Sequence, residues 1–321
     1  MPVPVAILRD MVDGSLHSLL LEQVRVALAR AEDDFDTIVA DAFDRFEGEV
    51  ERAAVDTVAR AEFAAYRAEQ SGWNGELLDT ERLLAAFRDL DTAGVVARAD
   101  FTCCQTCGTA EIGAEVPAGA ARGYVFCHHQ DVDGAARGDG LYLSYGAFTE
   151  DGDDAEIGRR AVTALRERGL VVEWDGEATT RILLPLTWRR RRYAHLARSP
   201  DLPDAPEEAA ASLAVTYHDY TRGRGEDDPV AMSFEEFRGL LYGLVPGGDN
   251  FITCTGRSGK IVQGMWEEGP RFWLETPDQG ARCSYGRWAT LDEAAEVVRA
   301  LAHDDRVALT DLGDLETVTW S

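Results

Sequence analysis

The chain has 321 residues, 45% hydrophobic and 28% charged, which excludes collagen-like, fibrous and wholly disordered classes and leaves room for two domains or one large one. Acidic residues outnumber basic ones 58 to 32, for a net charge of −26; such a chain repels phosphate backbones, so no nucleic-acid partner is expected. No apolar run approaches the ~18 residues of a membrane span, so no membrane partner is expected either.

The N-terminal stretch MPVPVAILRDMVDGS carries Asp10 and Asp13 where a secretion signal would be apolar. The expectation is a cytoplasmic protein. Six cysteines are too few for a disulfide scaffold, and in a reducing compartment clustered cysteines point to metal or redox chemistry.

From Ser15 the apolar residues Leu16, Leu19, Leu20, Val24 and Leu28 recur at helical steps, and Phe35 to Val58 continue the pattern with Gly48 as a break. Asp79 and Thr80 offer caps for a helix through Leu83, Leu84, Phe87 and Leu90, with Gly94 as its stop. Strands are expected at Val95–Phe101, Gly123–His128, Leu141–Ala147, Leu170–Trp174 and Thr180–Leu184. A turn is expected at Cys103–Gly108, a loop through DVDGAARGDG, and a helix over Ala155–Arg168. Strands that arrive in hairpin-like pairs predict an antiparallel sheet behind a helical N-terminal region, an α+β domain over residues 1–197.

RSPDLPDAPEEAAA, residues 198–211, reads as a linker. A second, small α+β domain is expected over 212–321: a strand at Leu213–Tyr217, a Ser233-capped helix, and strands at Phe251–Thr255, Ile261–Trp266, Phe272–Glu275 and Ala281–Tyr285. A helix over Leu291–Leu301 and a strand at Leu315–Trp320 close it.

The densest chemistry lies in residues 101–131. FTCCQTCG supplies Cys103, Cys104 and Cys107, and the Cys104-x-x-Cys107-Gly spacing is that of a metal knuckle, in which two thiolates reach one ion from a tight turn. CHHQD follows about twenty residues on. On an extended strand Cys127 and His129 would share one face, and His128 and Gln130 the other. On ligand chemistry alone, Cys104, Cys107, Cys127 and His129 make the tidiest zinc set. A thiol redox pair and plain core packing are the alternatives, and Cys254 and Cys283 read as core.

DFTCCQTCG, GYVFCHHQD, GLYLSYG, AVTALRERGL, VEWDG and RILLPLTWRRR, in that order, together with the helix TERLLAAFRDLDTAGVVARADF, resemble a bacterial family of unknown function, number 6891 among such domains. The resemblance covers about residues 30–192 and implies no activity. It implies that Cys103, Cys104, Cys107, His128, Gln130 and Asp131 match the family pattern, whereas Cys127 and His129 depart from it. A common site would then use the three cysteines with His128, with Asp131, Cys127 and His129 as alternatives, and zinc as the ion the donor set suits.

WRRRRY, Trp188 to Tyr193, reads on so acidic a chain as an inner salt-bridge strip or a domain-edge tail, and EWDG as a hairpin turn. No GxSxG, P-loop, Rossmann or HExxH motif occurs. Trp266, Trp273, Trp288 and Trp320 stand among acids, a composition that on an exposed sheet face makes a protein-binding surface. With Gln263–Trp266, Leu274-Glu275, a helix and a Trp-ending strand, residues 213–320 resemble small actinobacterial immunity-type domains. The leading expectation is therefore a non-catalytic binding protein, immunity-like, engaging a basic or polar protein partner through its acidic surface. Gln130, Asp131, Trp266 and Trp273 are its candidate binding residues. The rival is a metal- or thiol-dependent enzyme or sensor built on Cys103, Cys104, Cys107 and His128.

Overall fold

The computed structural model describes residues 14–73, 75–117, 119–149, 151–201, 213–221, 223–247, 249–267 and 271–320. The expected lead-in and most of the expected linker, 202–211, lie outside the described residues.

The N-terminal helices α1 (Gly14–Arg30), α2 (Phe35–Arg45) and α3 (Arg52–Ser71) follow the apolar periodicity. Leu20, Val24 and Leu28 meet Phe35, Ile38, Val39, Val55, Val58 and Phe63 in a core of their own. Asp34 caps α2, accepting from the Thr37 N–H at 2.8 Å.

Helix α4 (Asp79–Thr92) leads into a four-stranded sheet of β1 (Val95–Arg98), β2 (Gly123–Phe126), β3 (Leu141–Ala147) and β4 (Ile182–Leu184), in that spatial order. The α+β class expected from the sequence is the class observed. The sheet, however, is mixed: β1 runs parallel to β2, and only β2–β3 and β3–β4 are antiparallel. A parallel pair needs a crossover, and residues 99–122 provide it with helix α5 (Gln105–Glu111) and the 3-10 turn Ile112–Glu115.

Two further helices separate the strands. The expected loop after β2 is helix α6 (His129–Arg137), ended by Gly138 at φ 98°; α7 (Asp154–Glu167) precedes β4. The expected strand at 170–174 is reduced to one bridge, Glu173 to Leu183. Between them Asp175 closes the turn, accepting from the Glu177 N–H and the Thr180 hydroxyl.

The second unit is a seven-stranded antiparallel sheet with spatial order β11-β10-β9-β8-β7-β5-β6. Its strands are β5 (Leu213–Asp219), β6 (Arg224–Met232), β7 (Phe251–Thr255), β8 (Ile261–Trp266), β9 (Phe272–Asp278), β10 (Cys283–Ala289) and β11 (Glu316–Thr319). Helices α8 (Phe234–Gly243) and α9 (Leu291–Asp304) each open with a full capping box, Ser233 with Glu236 and Thr290 with Glu293. Strand β6 was hidden in the sequence by Asp227, Asp228 and Pro229. It lies at a sheet edge, where proline and charge are tolerated because the outer N–H groups have no partner strand.

One continuous apolar cluster runs from Leu83 and Phe87 of α4 through Val125, Leu143 and Leu165 to Phe237, Ile252, Val298 and Leu309, so both sheets share a core. The arginine run is an inner strip, as its setting in an acidic chain suggested. Arg192 is wholly buried and donates to the carbonyls of Leu196, Leu28 and Asp33. Desolvation by burial lowers its pKa to about 10. Arg189 lies over the Trp73 ring and pairs with Glu69 and Glu76. These side chains stitch the helical region to the rest of the chain.

Candidate functional site

The thiols are presented by a strained turn. Asp100 and Thr102 both adopt positive φ, 55° and 59°, a conformation that costs non-glycine residues free energy and persists only where neighbours hold it. Here the Phe101 N–H donates to the Cys127 carbonyl at 2.9 Å, the His129 N–H to the Thr102 carbonyl at 3.0 Å, and Arg30 clamps the Asp100 carboxylate at 2.9 and 3.0 Å. The chain is thereby turned outward, and Cys104 becomes the N-cap of α5 in place of the expected simple turn. Gly108 lies against the Phe126 ring, where a Cβ would clash, so α5 sits directly on the end of β2.

Cys103, Cys104 and Cys107 converge, with all three Sγ atoms within 4.8 Å of one another and the Sγ atoms of Cys103 and Cys107 3.5 Å apart. Cys103 is exposed and the other two are half-buried. Among the described residues this is the only group of three or more His, Cys, Asp or Glu ligand atoms so gathered. The Cys104 thiol is pulled below its ordinary range, first by the backbone N–H of Cys107 and then by the thiols of Cys107 and Cys103; Cys107 is raised to about 12, chiefly by Cys103. One sulfur, the half-buried Cys104, is thus favoured as a thiolate.

The histidines and Cys127 lie outside this group, because β2 ends at Phe126 and the strand alternation assumed for CHHQD does not exist there. Cys127 is fully buried, its sulfur accepting from the Asp100 N–H at 3.4 Å, and burial pushes its thiol pKa up. His128 caps α6: its Nδ1 accepts from the Asp131 N–H at 3.3 Å, while Asp131 Oδ2 accepts from the His128 N–H at 3.1 Å. Arg181 holds Asp131 through two hydrogen bonds of 2.9 and 2.6 Å. His129 turns toward Asp100, 3.8 Å away. His128, Asp131 and Cys127 therefore have structural duties. His128 and Asp131 form a capping box without the Ser/Thr and Glu/Gln that mark one in a sequence, so no local signal announced α6.

Of the four candidate binding residues only Gln130 is exposed. Trp266 and Trp273 are buried rather than displayed. Trp266 packs edge-on against Phe272 beneath the helices, whereas Trp273 gives its indole N–H to Glu275 at 2.8 Å and meets Trp288 edge-on. Glu275 also accepts from Ser284 and Gln263, forming a closed polar network on the sheet.

The three-thiol group could hold a metal ion. Its donors fit a thiophilic ion, since sulfur is the preferred ligand of zinc and copper(I). With three protein ligands it leaves a position open, unlike a closed four-ligand structural site.

No curated protein and no solved structure matches the chain. The family described as Domain of unknown function (DUF6891) matches residues 14–192, which span the helical region, the cysteine turn, the first sheet and the arginine strip. By that match over more than half its length, the chain belongs to the DUF6891 family.

Proposed function

We propose that this protein is a metal-binding sensor that takes up a thiophilic ion, zinc or copper(I), through Cys103, Cys104 and Cys107. The observation that carries the reading is the convergence of three accessible sulfurs within 4.8 Å on one turn. Thiolates bind such ions after losing their protons, and the lowered pKa of Cys104 favours that step. The test is an anaerobic titration of reduced protein with zinc or copper(I), followed by elemental analysis. One equivalent is expected, lost in a C104S/C107S double variant and retained in C127S. Stoichiometry unchanged by the double substitution rejects the reading.

A second reading, an immunity-like protein that docks a basic partner, has its own support. Val318 and Trp320, two residues apart and so on one face, are exposed at the edge strand β11, whose side chains are all exposed. An open edge with apolar side chains is a surface for strand addition, and the net charge of −26 favours a basic ligand. The expected result is a stoichiometric partner captured from the native host, released by salt and lost on V318E/W320E. Capture that survives the double substitution counts against this edge.

A further inference from the structure

A cleft of about 400 Å³ opens between the two units, walled by α4, the residues after α7, α8, the ends of β8 to β10 and the first turn of α9. It is separate from the cysteine turn, and the inference drawn from it does not depend on the thiol reading.

On one wall the charges answer one another. Arg168 gives Nε and Nη2 to Asp89 at 2.6 and 2.7 Å and Nη1 to Asp292 at 2.5 Å, and the Tyr242 hydroxyl donates to Asp292 at 2.7 Å. The other wall is aromatic, formed by Trp266, Phe272 and Trp288.

Two donors there have no acceptor among the described residues. Trp266 is only 2% exposed, yet its indole N–H has no hydrogen-bond partner. Leaving such a donor unsatisfied costs about 1–3 kcal/mol, and each such group in a folded protein calls for an explanation. The Arg271 guanidinium lies over the Trp288 ring, 3.6 Å from its centroid, and has no carboxylate partner among the described residues. A pocket with aromatic walls and a few placed polar groups is the usual form of a small-molecule site. Both of these groups are donors, one of them cationic.

We propose that this cleft binds a small aromatic carboxylate of one or two fused rings, with its anionic oxygens directed to Arg271 and its ring against the Trp266–Trp288 wall. Because α4 and Arg168 come from the family-matched region and the aromatic wall from the second unit, an occupant would touch both.

The test is calorimetric titration of the full chain with 2-naphthoate, alongside its neutral amide. A ligand of this size is expected to bind saturably with Kd on the order of 1 mM or tighter. R271Q, an exposed substitution, is expected to weaken it about tenfold or more through the lost charge-assisted bond; the amide should bind more weakly than the acid. W266F is expected to weaken it as well. Absence of saturable heat over several multiples of that concentration overturns the proposal, as does 2-naphthoate binding that R271Q leaves unchanged. Should W266F fail to fold, R271Q alone decides.

Discussion

Arg191 Nε donates to Glu81 Oε1 at 2.9 Å with both side chains almost fully enclosed. Glu81 also accepts from the Leu78 N–H at 3.0 Å and pairs with Arg238 at 3.2 Å, so one carboxylate joins the start of α4, the arginine strip and α8. A buried pair adds little net stability over an apolar isostere, but removing one partner strands the other charge. E81Q is therefore expected to lose about 3–5 kcal/mol. Urea denaturation checks this through a lowered midpoint at unchanged slope; a midpoint equal to that of wild type refutes it.

His128 is held neutral in the fold because burial lowers its pKa, and its unprotonated Nδ1 is the cap acceptor of α6. The unfolded chain takes up this proton at higher pH than the folded one. The contribution is therefore complete above the unfolded value of about 6.5 and is lost as pH falls through the lower folded pKa. H128N keeps a capping side chain without the titration. Between pH 7.5 and pH 5, its melting temperature should fall less than that of wild type; parallel decline would exclude His128 as the source.

Gly108 is the contact on which α5 rests, since an added Cβ would run into the Phe126 ring. G108A is expected to cost about 1–3 kcal/mol by overpacking and to weaken metal uptake by shifting the cysteine turn. Paired thermal melts and metal titrations check both. Full metal affinity in a destabilised G108A protein would uncouple the turn from the helix that carries it.

Thiol accessibility should divide the cysteines evenly. Cys103, Cys104 and Cys107 are exposed or half-buried, whereas Cys127, Cys254 and Cys283 are buried. Brief alkylation of the native reduced protein, read by peptide mass mapping, should label only the first three, with Cys104 fastest because its pKa is lowered and Cys107 slow because its own is raised to about 12. Early labelling of Cys127 would contradict its burial between β2 and α6.

Apolar period was enough to place α1, α4 and α7, although α4 is capped at Leu78 and not at Asp79 or Thr80; period and capping residues together placed α8, α9 and most strands of the second sheet, because those signals are local: Ser233 with Glu236 and Thr290 with Glu293 declare their helices within four residues. The same local chemistry grouped the three cysteines on one turn and left the arginine run as an inner strip or a domain-edge tail, between which the burial of Arg192 decides. Tertiary structure alone decided the parallel pairing of β1 with β2, which depends on a crossover whose direction no neighbouring residue encodes. It also turned CHHQD from a strand into a helix start, so that His128 faces Asp131 and Cys127 enters the core while the sulfurs of residues 103–107 face outward. Trp266 and Trp273 carry the same indole whether exposed or enclosed. Only the packing of helices and strands around the second sheet determined that they lie inside, since burial depends on partners distant in the chain.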